Sequence, residues 1–293
     1  MRTLGAIVAA ILLAAAQIAT AQTALAADRA TAAKTTPCAQ SIASCGCTIT
    51  AKGHYEVMHD LSIAQGLTAK KGCIDIKASN VFLLLNGYSI AGDNSKSGIG
   101  IHVLPGAKSV FVEGVASEDS TALSDFTELT SWDVGVLWEG AHGILDDVES
   151  ALNGTAGIEL NRATGNVLSD FTLHENAVYG MWLKASSNNQ IECGSFHSND
   201  NTGLYVGCAA SGPSGKRCKG VGASNNNHLY DLSSTSNAIG IAIDLGNSGN
   251  AITDNFTFNN GTADLADKNP ACGNDLWYGN HFDTQASDSG CIQ

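Results

Sequence analysis

Positive charge is scarce in this chain. Against 28 Asp and Glu stand 15 Lys and Arg, for a net charge of −13. Phosphate backbones and anionic lipid surfaces are held by clustered basic side chains, so this balance argues against nucleic acid and membrane surfaces as partners. The one compact basic cluster, Lys216-Arg217-Cys218-Lys219, falls in a segment that reads as a solvated loop. Helical periodicity is missing as well. Between residues 166 and 284 no apolar stripe of period 3.6 lasts long enough for a helix, which excludes helical solenoids. Beyond the N-terminal run, no apolar stretch approaches membrane-spanning length.

What is present is a repeat written in asparagine. Five stretches open alike, at Asn166-Val-Leu, Asn189-Gln-Ile, Asn227-His-Leu, Asn250-Ala-Ile and Asn274-Asp-Leu, at intervals of 23, 38, 23 and 24 residues. A second asparagine follows ten residues after each of the first four: Asn176, Asn199, Asn237 and Asn260. Then comes a glycine and an alternating run, as in Gly180-Met-Trp-Leu, Gly203-Leu-Tyr-Val and Gly240-Ile-Ala-Ile. One rung further back, Gly143 stands at the leading position, Asn153 at the second, and Gly157-Ile-Glu-Leu follows. Short alternating runs between Asn, Gly, Ser and Asp are strands and turns, and a fixed period of this size is a repeat architecture. A unit of three short strands is one coil of a parallel β-helix, with equivalent residues of successive coils roughly 4.8 Å apart. Asparagine suits such a column because its amide donates and accepts along the stack and tolerates left-handed turns.

With these residues the chain resembles the right-handed parallel β-helix repeat proteins, the superfamily of pectate lyases, polygalacturonases and alginate epimerases. The likeness covers roughly residues 75 to 293. It extends to small secreted bacterial proteins with an opening like Cys45-Gly-Cys-Thr-Ile-Thr, then Gly72-Cys-Ile-Asp-Ile and Asn80-Val-Phe-Leu-Leu-Leu-Asn-Gly, and an ending like Asn269-Pro-Ala-Cys-Gly-Asn-Asp-Leu-Trp. It implies an all-β fold and a polysaccharide partner. The paired-aspartate and Arg-x-Lys motifs of polygalacturonases are missing, as is the arginine-bearing strand of pectate lyases, so no catalytic residue carries over.

The chain ends define the domain reading. An apolar run from Ala6 to Ala16 and an Ala24-Leu-Ala site mark residues 1–26 as a secretory signal, implying a secreted or periplasmic protein that leaves the membrane after cleavage. Residues 27–37 read as a disordered lead-in, 38–74 as an N-terminal cap shielding the first coil, and 75–293 as the β-helix. Export permits disulfides among the nine cysteines. Cys272 with Cys291 should pin the last coil, and Cys208 with Cys218 should close the insertion that lengthens one repeat. The pairing of Cys38, Cys45, Cys47 and Cys73 stays open, and Cys193 is left over. A zinc site at Cys45-Gly-Cys is the competing use, without a second ligand pair at metal spacing. The sequons at Asn153, Asn255 and Asn260 are read as coincidence, since Asn153 and Asn260 lie on the ladder.

Three places could carry chemistry. In the strand after each glycine, the outward positions read His102, Glu159, Trp182, Tyr205 and Ala242, with Arg162 and Lys184 just beyond their strands. Trp182 and Tyr205 either form a flat platform for sugar rings or lie covered by a loop. Glu159, His102 and Tyr205 are the candidate acid/base residues, and Trp182, Arg162 and Lys184 the candidate substrate contacts. The expected substrate is an acidic glycan whose uronate carboxylate a cation neutralises. The second place is an acidic column, Asp147, Asp170, Asp231 and Asp254, with Asp146 beside it. It could hold Ca2+, with Asp146, Asp147 and Asp170 as ligands, or simply serve the turn backbone. The third is His174 and His197, one coil apart. Three functions remain open: a polysaccharide lyase or hydrolase, a non-catalytic carbohydrate-binding module, and a structural or adhesive solenoid.

Overall fold

In a computed structural model the chain is described over residues 36–63, 71–93, 95–114, 127–207, 222–287 and 290–293. The signal segment 1–26, the lead-in up to residue 35, the Cys208–Cys218 pair and the 216–219 basic cluster lie outside the described residues. Pro37–Gln293 forms one contact unit. Every strand pairing in it is parallel, and the coils stack into three faces. Face A runs from Cys47–Ile49 through Tyr179–Lys184 to Gln285–Ser287. Face B runs from Ser41–Ile42 through Gly53–Val57 to Leu276–Tyr278, and face C from Leu61–Ser62 to His281–Phe282. The long strands Ile144–Ala151 and Val167–His174 bend across both B and C. Among the described residues no helix is long and apolar enough to cross a membrane.

The inner side of face A is one aliphatic column: Ile101, Val136, Ile158, Met181, Leu204, Ile241 and Leu265 are in mutual register. All are fully buried, and each such side chain contributes about 1.5–3 kcal/mol relative to exposure. The apolar alternation of the sequence thus lies across three faces around one interior.

Both asparagine columns are formed. Asn166 donates through its backbone N–H and its Nδ2 to Oδ1 of Asn189, each at 3.0 Å. Asn189 does the same to Asn227, and Asn227 to Asn250. The second column links Asn153, Asn176, Asn199, Asn237 and Asn260 in the same way. Each amide also donates to a backbone carbonyl, as Asn199 does to Leu173. The left-handed residue is the one before the asparagine: Leu152, Glu175, Ser198, Ser236 and Asn259 all have positive φ. That corner turns the chain and sends the next side chain inward. The asparagines themselves take no left-handed conformation, contrary to the expectation for this column. Glycine is required opposite them, because a Cβ on Gly157 or Gly180 would come within 3.0 Å of the amide nitrogen of Asn176 or Asn199.

The leading column ends one residue later than its sequence pattern suggests. Leu276, not Asp275, pairs with Ala251, so Asp275 receives Asn250 and Asn274 lies outside the ladder. The end is closed by the buried Trp277, Cys272 and Ile292, with Cys272 bonded to Cys291 as expected. At the other end the open pairing resolves to Cys38–Cys47 and Cys45–Cys73, which leaves no thiol there for zinc. Asn153 and Asn255 are fully buried, so those sequons offer no accessible amide.

Two expectations follow. Asn199→Leu leaves the N–H groups of Asn176 and the carbonyl of Leu173 without partners, and should lower stability by about 1–3 kcal/mol or more in a denaturant titration. Asp275 is half-buried beside Asp267, and that desolvation and charge, against the Asn250 hydrogen bond, push its pKa up to about 6. A raised carboxyl stabilises the fold fully below the unfolded value and loses that contribution as pH rises through the folded value. Asp275→Asn should therefore flatten the fall in melting temperature between about pH 4 and 7; an unchanged pH profile would remove Asp275 from this role.

Candidate functional site

The strands of face A bring together residues 22 to 37 positions apart in the chain. Register aligns Asp75, His102, Leu137, Glu159, Trp182, Tyr205, Ala242 and Ala266 in one outward column. Leu137 fills the position that the sequence pattern leaves ambiguous. Although outward-pointing, His102, Glu159, Trp182 and Tyr205 are only 6–8 % exposed.

At the charged end, His102 is held between two carboxylates. Its Nε2 lies 2.9 Å from Glu139 Oε2, and its Nδ1 lies 3.6 Å from Asp75 Oδ1, within ion-pair range but beyond a hydrogen bond. The Gly72 N–H fixes Asp75 Oδ1 at 2.9 Å. Burial pulls the His102 pKa down, but Asp75 and Glu139 outweigh it and leave it raised. Two coils on, Lys184 Nζ lies 3.3 Å from Glu159 Oε1. Burial raises the Glu159 pKa, with Lys184 opposing. The column therefore carries two titratable groups whose protonated forms are favoured for different reasons.

The aromatic end is not an open platform. Trp182 and Tyr205 pack with Ala156, Tyr179, Ala242 and Ala266 in a second apolar cluster outside face A. Tyr179 and Tyr205 stack on each other, centroids 5.0 Å apart and 7° from parallel. Lys184 Nζ sits 4.5 Å over the Trp182 ring, and Trp182 Nε1 donates to the Gly207 carbonyl. Ring faces that a sugar would use are already in contact. Tyr205 donates to Asp244 at 2.9 Å. Burial and that carboxylate push its phenol pKa up, the reverse of the cation-assisted ionisation expected for a base. Arg162 is also displaced from its expected place. Asn161, not Arg162, pairs with Lys184, and Arg162 occupies an exposed left-handed corner.

The acidic column lies elsewhere, at the corner between faces B and C. Asp147, Asp170, Cys193, Asp231 and Asp254 all have positive φ, so the turn itself accounts for the residue type. All but Asp254 border, with Asp146, a groove of about 580 Å³ lined also by Phe171, Leu232 and Phe256. Asp146 accepts from Ser169, and Asp147 is raised by burial and by Asp146 and Asp170. Among the described residues no three His, Cys, Asp or Glu side chains converge as metal ligands, so the geometry assigns no Ca2+ to Asp146, Asp147 and Asp170. His174 and His197 do stack, at 4.7 Å and 11°, with His174 bonded to Glu149. Burial and His174 lower the His197 pKa. They lie on face C and take no part in the face A column.

Asp75 and Glu139 escaped the sequence reading. Extending the register three coils back from Glu159, one beyond His102, identifies Asp75 as a member of the same column. Glu139 follows its strand as Lys184 follows its own.

The sequence pattern described as the right-handed beta helix region matches residues 70–219, just over half of the chain. No curated protein matches it. Among solved structures it is similar to the Dettilon tailspike protein, with 14 % identity and a TM-score of 0.50 over 83 % of this chain and 52 % of that one. It is also similar to the A-module of the Azotobacter vinelandii mannuronan C-5 epimerase AlgE6, with 13 % identity and a TM-score of 0.51 over 76 % of this chain and 70 % of the module. The chain thus spans about half of the tailspike, and at these identities the likeness is one of fold.

Cys193 is the free cysteine among the described residues, and it is exposed. Burial and the charges of Asp170, Asp231 and Glu192 raise its pKa, which depletes the thiolate. Alkylation at pH 8 should run slower than for a cysteine peptide, and Asp231→Asn should speed it; equal rates would show that the carboxylates do not reach the sulfur.

Proposed function

The chain belongs to the right-handed β-helix family, and from that premise we propose that it acts on an extracellular polysaccharide through the outer side of face A. The observation that carries this reading is the Asp75–His102–Glu139 constellation on one column with Glu159–Lys184. An imidazole whose protonated form two flanking carboxylates favour is suited to act as general acid toward a glycosidic oxygen. Glu159, two coils or about 10 Å along the column, is then the base, directly or through water. Burial raises its pKa, which makes it a stronger base once ionised, and Lys184 limits that rise. The same pair serves a hydrolase through a water or a lyase through proton abstraction beside a carboxylate. The fold-level neighbours are named as a tailspike and a mannuronan epimerase, which fits a glycan as ligand. The three disulfides among the described residues fit an oxidising, exported location.

Burial of Trp182 and Tyr205 favours a second reading, in which this side of face A is structural and the protein is a binding or adhesive solenoid. Release of reducing ends and of unsaturated products from a panel of polysaccharides separates the two. His102→Gln and Glu159→Gln should each lower turnover by about 10²-fold or more while binding persists. Trp182→Ala should instead unfold the protein, at a cost of about 3–5 kcal/mol. Cleavage unaffected by His102→Gln would remove the column from the chemistry, and no binding or cleavage of any polymer would favour the structural solenoid.

A further inference from the structure

Face B carries an outer column that the polysaccharide reading does not use. Register places Phe82, Phe111, Ile144 and Val167 in it, begun by His54 and ended by Leu276. Gln190 and His228 interrupt it before Leu276. All four apolar side chains reach solvent in part, Ile144 at 38 % exposure, and Leu276 is 56 % exposed. Phe82 stacks on Phe111 at 4.6 Å and 6°, and His54 packs on Phe82 at 4.9 Å, so an apolar ridge runs along the stack. Leu84, at the next outward position beside Phe82, widens it. Contiguous apolar side chains on an open sheet face mark a contact surface. Eight strand steps take the column from His54 to Leu276, about 38 Å. With corners the face is about 20 Å wide, close to the ~800 Å² a side of a standard protein interface.

The two borders of this column carry opposite charge. Lys52, Lys108 and, farther out, Arg162 stand exposed at the corner that enters face B. Residues 78–80, 105–109, 140–143 and 162–166 of that corner include no carboxylate. Among the described residues none of those three cations is in an ion pair. On the other side of the column come Glu56, Glu113 and Asp146, then Asp147 and Asp170 at the corner leaving the face. Among the described residues no Lys or Arg lies on face B, face C or the corner between them.

We infer that face B is the contact surface for a second copy of this chain, related by a two-fold axis along the coil stack through the Phe82–Val167 column. A two-fold contact is self-complementary, and about this axis each column residue meets its own counterpart. Each basic border then lies over the acidic border of the other copy. Lys52, two residues before His54, faces Glu56, two residues after it. His142 faces Asp146 about Ile144 in the same way. Lys108 faces Gly114, one strand spacing from Asp147. A two-fold axis across the stack would instead set basic border on basic border, an arrangement that like charge opposes.

Sedimentation equilibrium of the exported protein tests this, and none of its readouts depends on polysaccharide binding. The mass should be that of a dimer, with a Kd of about 10 μM or tighter. Ile144→Lys sets two ammonium groups against each other at the axis and should weaken association by about 100-fold or more. Unfolding midpoints confirm that each variant is folded. Lys52→Glu and Glu56→Lys should each weaken the dimer by about fivefold, and the double reversal should restore it. In a Cys193→Ser background, Ile144→Cys should be joined to its own counterpart by a bis-maleimide of about 10 Å reach, the spacing of packed sheets. A chain that stays monomeric, or a dimer indifferent to Ile144→Lys, would overturn the assignment of face B. A double reversal no better than the single ones, or no Ile144→Cys self-link, would overturn the axis along the stack.

Discussion

A buried amide must find both a donor and acceptors, and in this solenoid the neighbouring coil supplies them. Each left-handed corner sends the following asparagine into the interior, where an unpaired amide costs about 1–3 kcal/mol. Its Oδ1 receives two N–H groups from the coil before, and its Nδ2 donates to the coil after. The requirement fixes the register of the coils, and the space taken by the amide excludes any side chain larger than glycine opposite it. The ladder is therefore directional, with donors pointing toward the C-terminus. At its start it needs N–H groups, which Trp138 Nε1 and the Gly143 backbone provide for Asn166. At its end it needs acceptors alone. Both columns accordingly finish on a carboxylate, Asp275 in one and Asp264 in the other.

Those two endings are held differently. Asp264 is ringed by donors from Asn260 and Thr284, which lower its pKa against the effect of burial. Asp275 shares its surroundings with Asp267, whose own oxygens are taken by Asn269 and Trp277. Closing a solenoid with carboxylates satisfies the amides but concentrates negative charge where the coil stack stops.

Stacking has a second consequence on the outside. Equivalent positions lie one strand spacing apart, so like residues meet like. Phe82 stacks on Phe111 and His174 on His197, while Tyr179 reaches Tyr205 from three residues out of register. Rings that stack along the axis show their edges, not their faces, to a ligand. On face A opposite charges alternate along the stack, with His102 between Asp75 and Glu139 and Lys184 beside Glu159. The same constraint produces an aromatic patch at one end of the face A column and a charged cluster at the other.

Local pattern alone was enough to locate the coils, because each asparagine, glycine and alternating run serves a turn or strand within about ten residues of itself. The two ladders, the outward column from His102 to Ala242 and the Cys272–Cys291 bond were legible for that reason. The last coil was misread by one residue because its slot requires only an acceptor, and Asp275 fills it beside a misleading Asn274. What the tertiary structure decided was which neighbours each outward side chain meets. Glu139 reaches His102 across 37 positions, Lys184 reaches Glu159 across 25, and Asp244 reaches Tyr205 across 39. Those contacts set the charge and accessibility of every candidate residue. Periodicity assigns a side chain to a face, but only the stacked coils determine whether it meets a cation, a carboxylate or another ring.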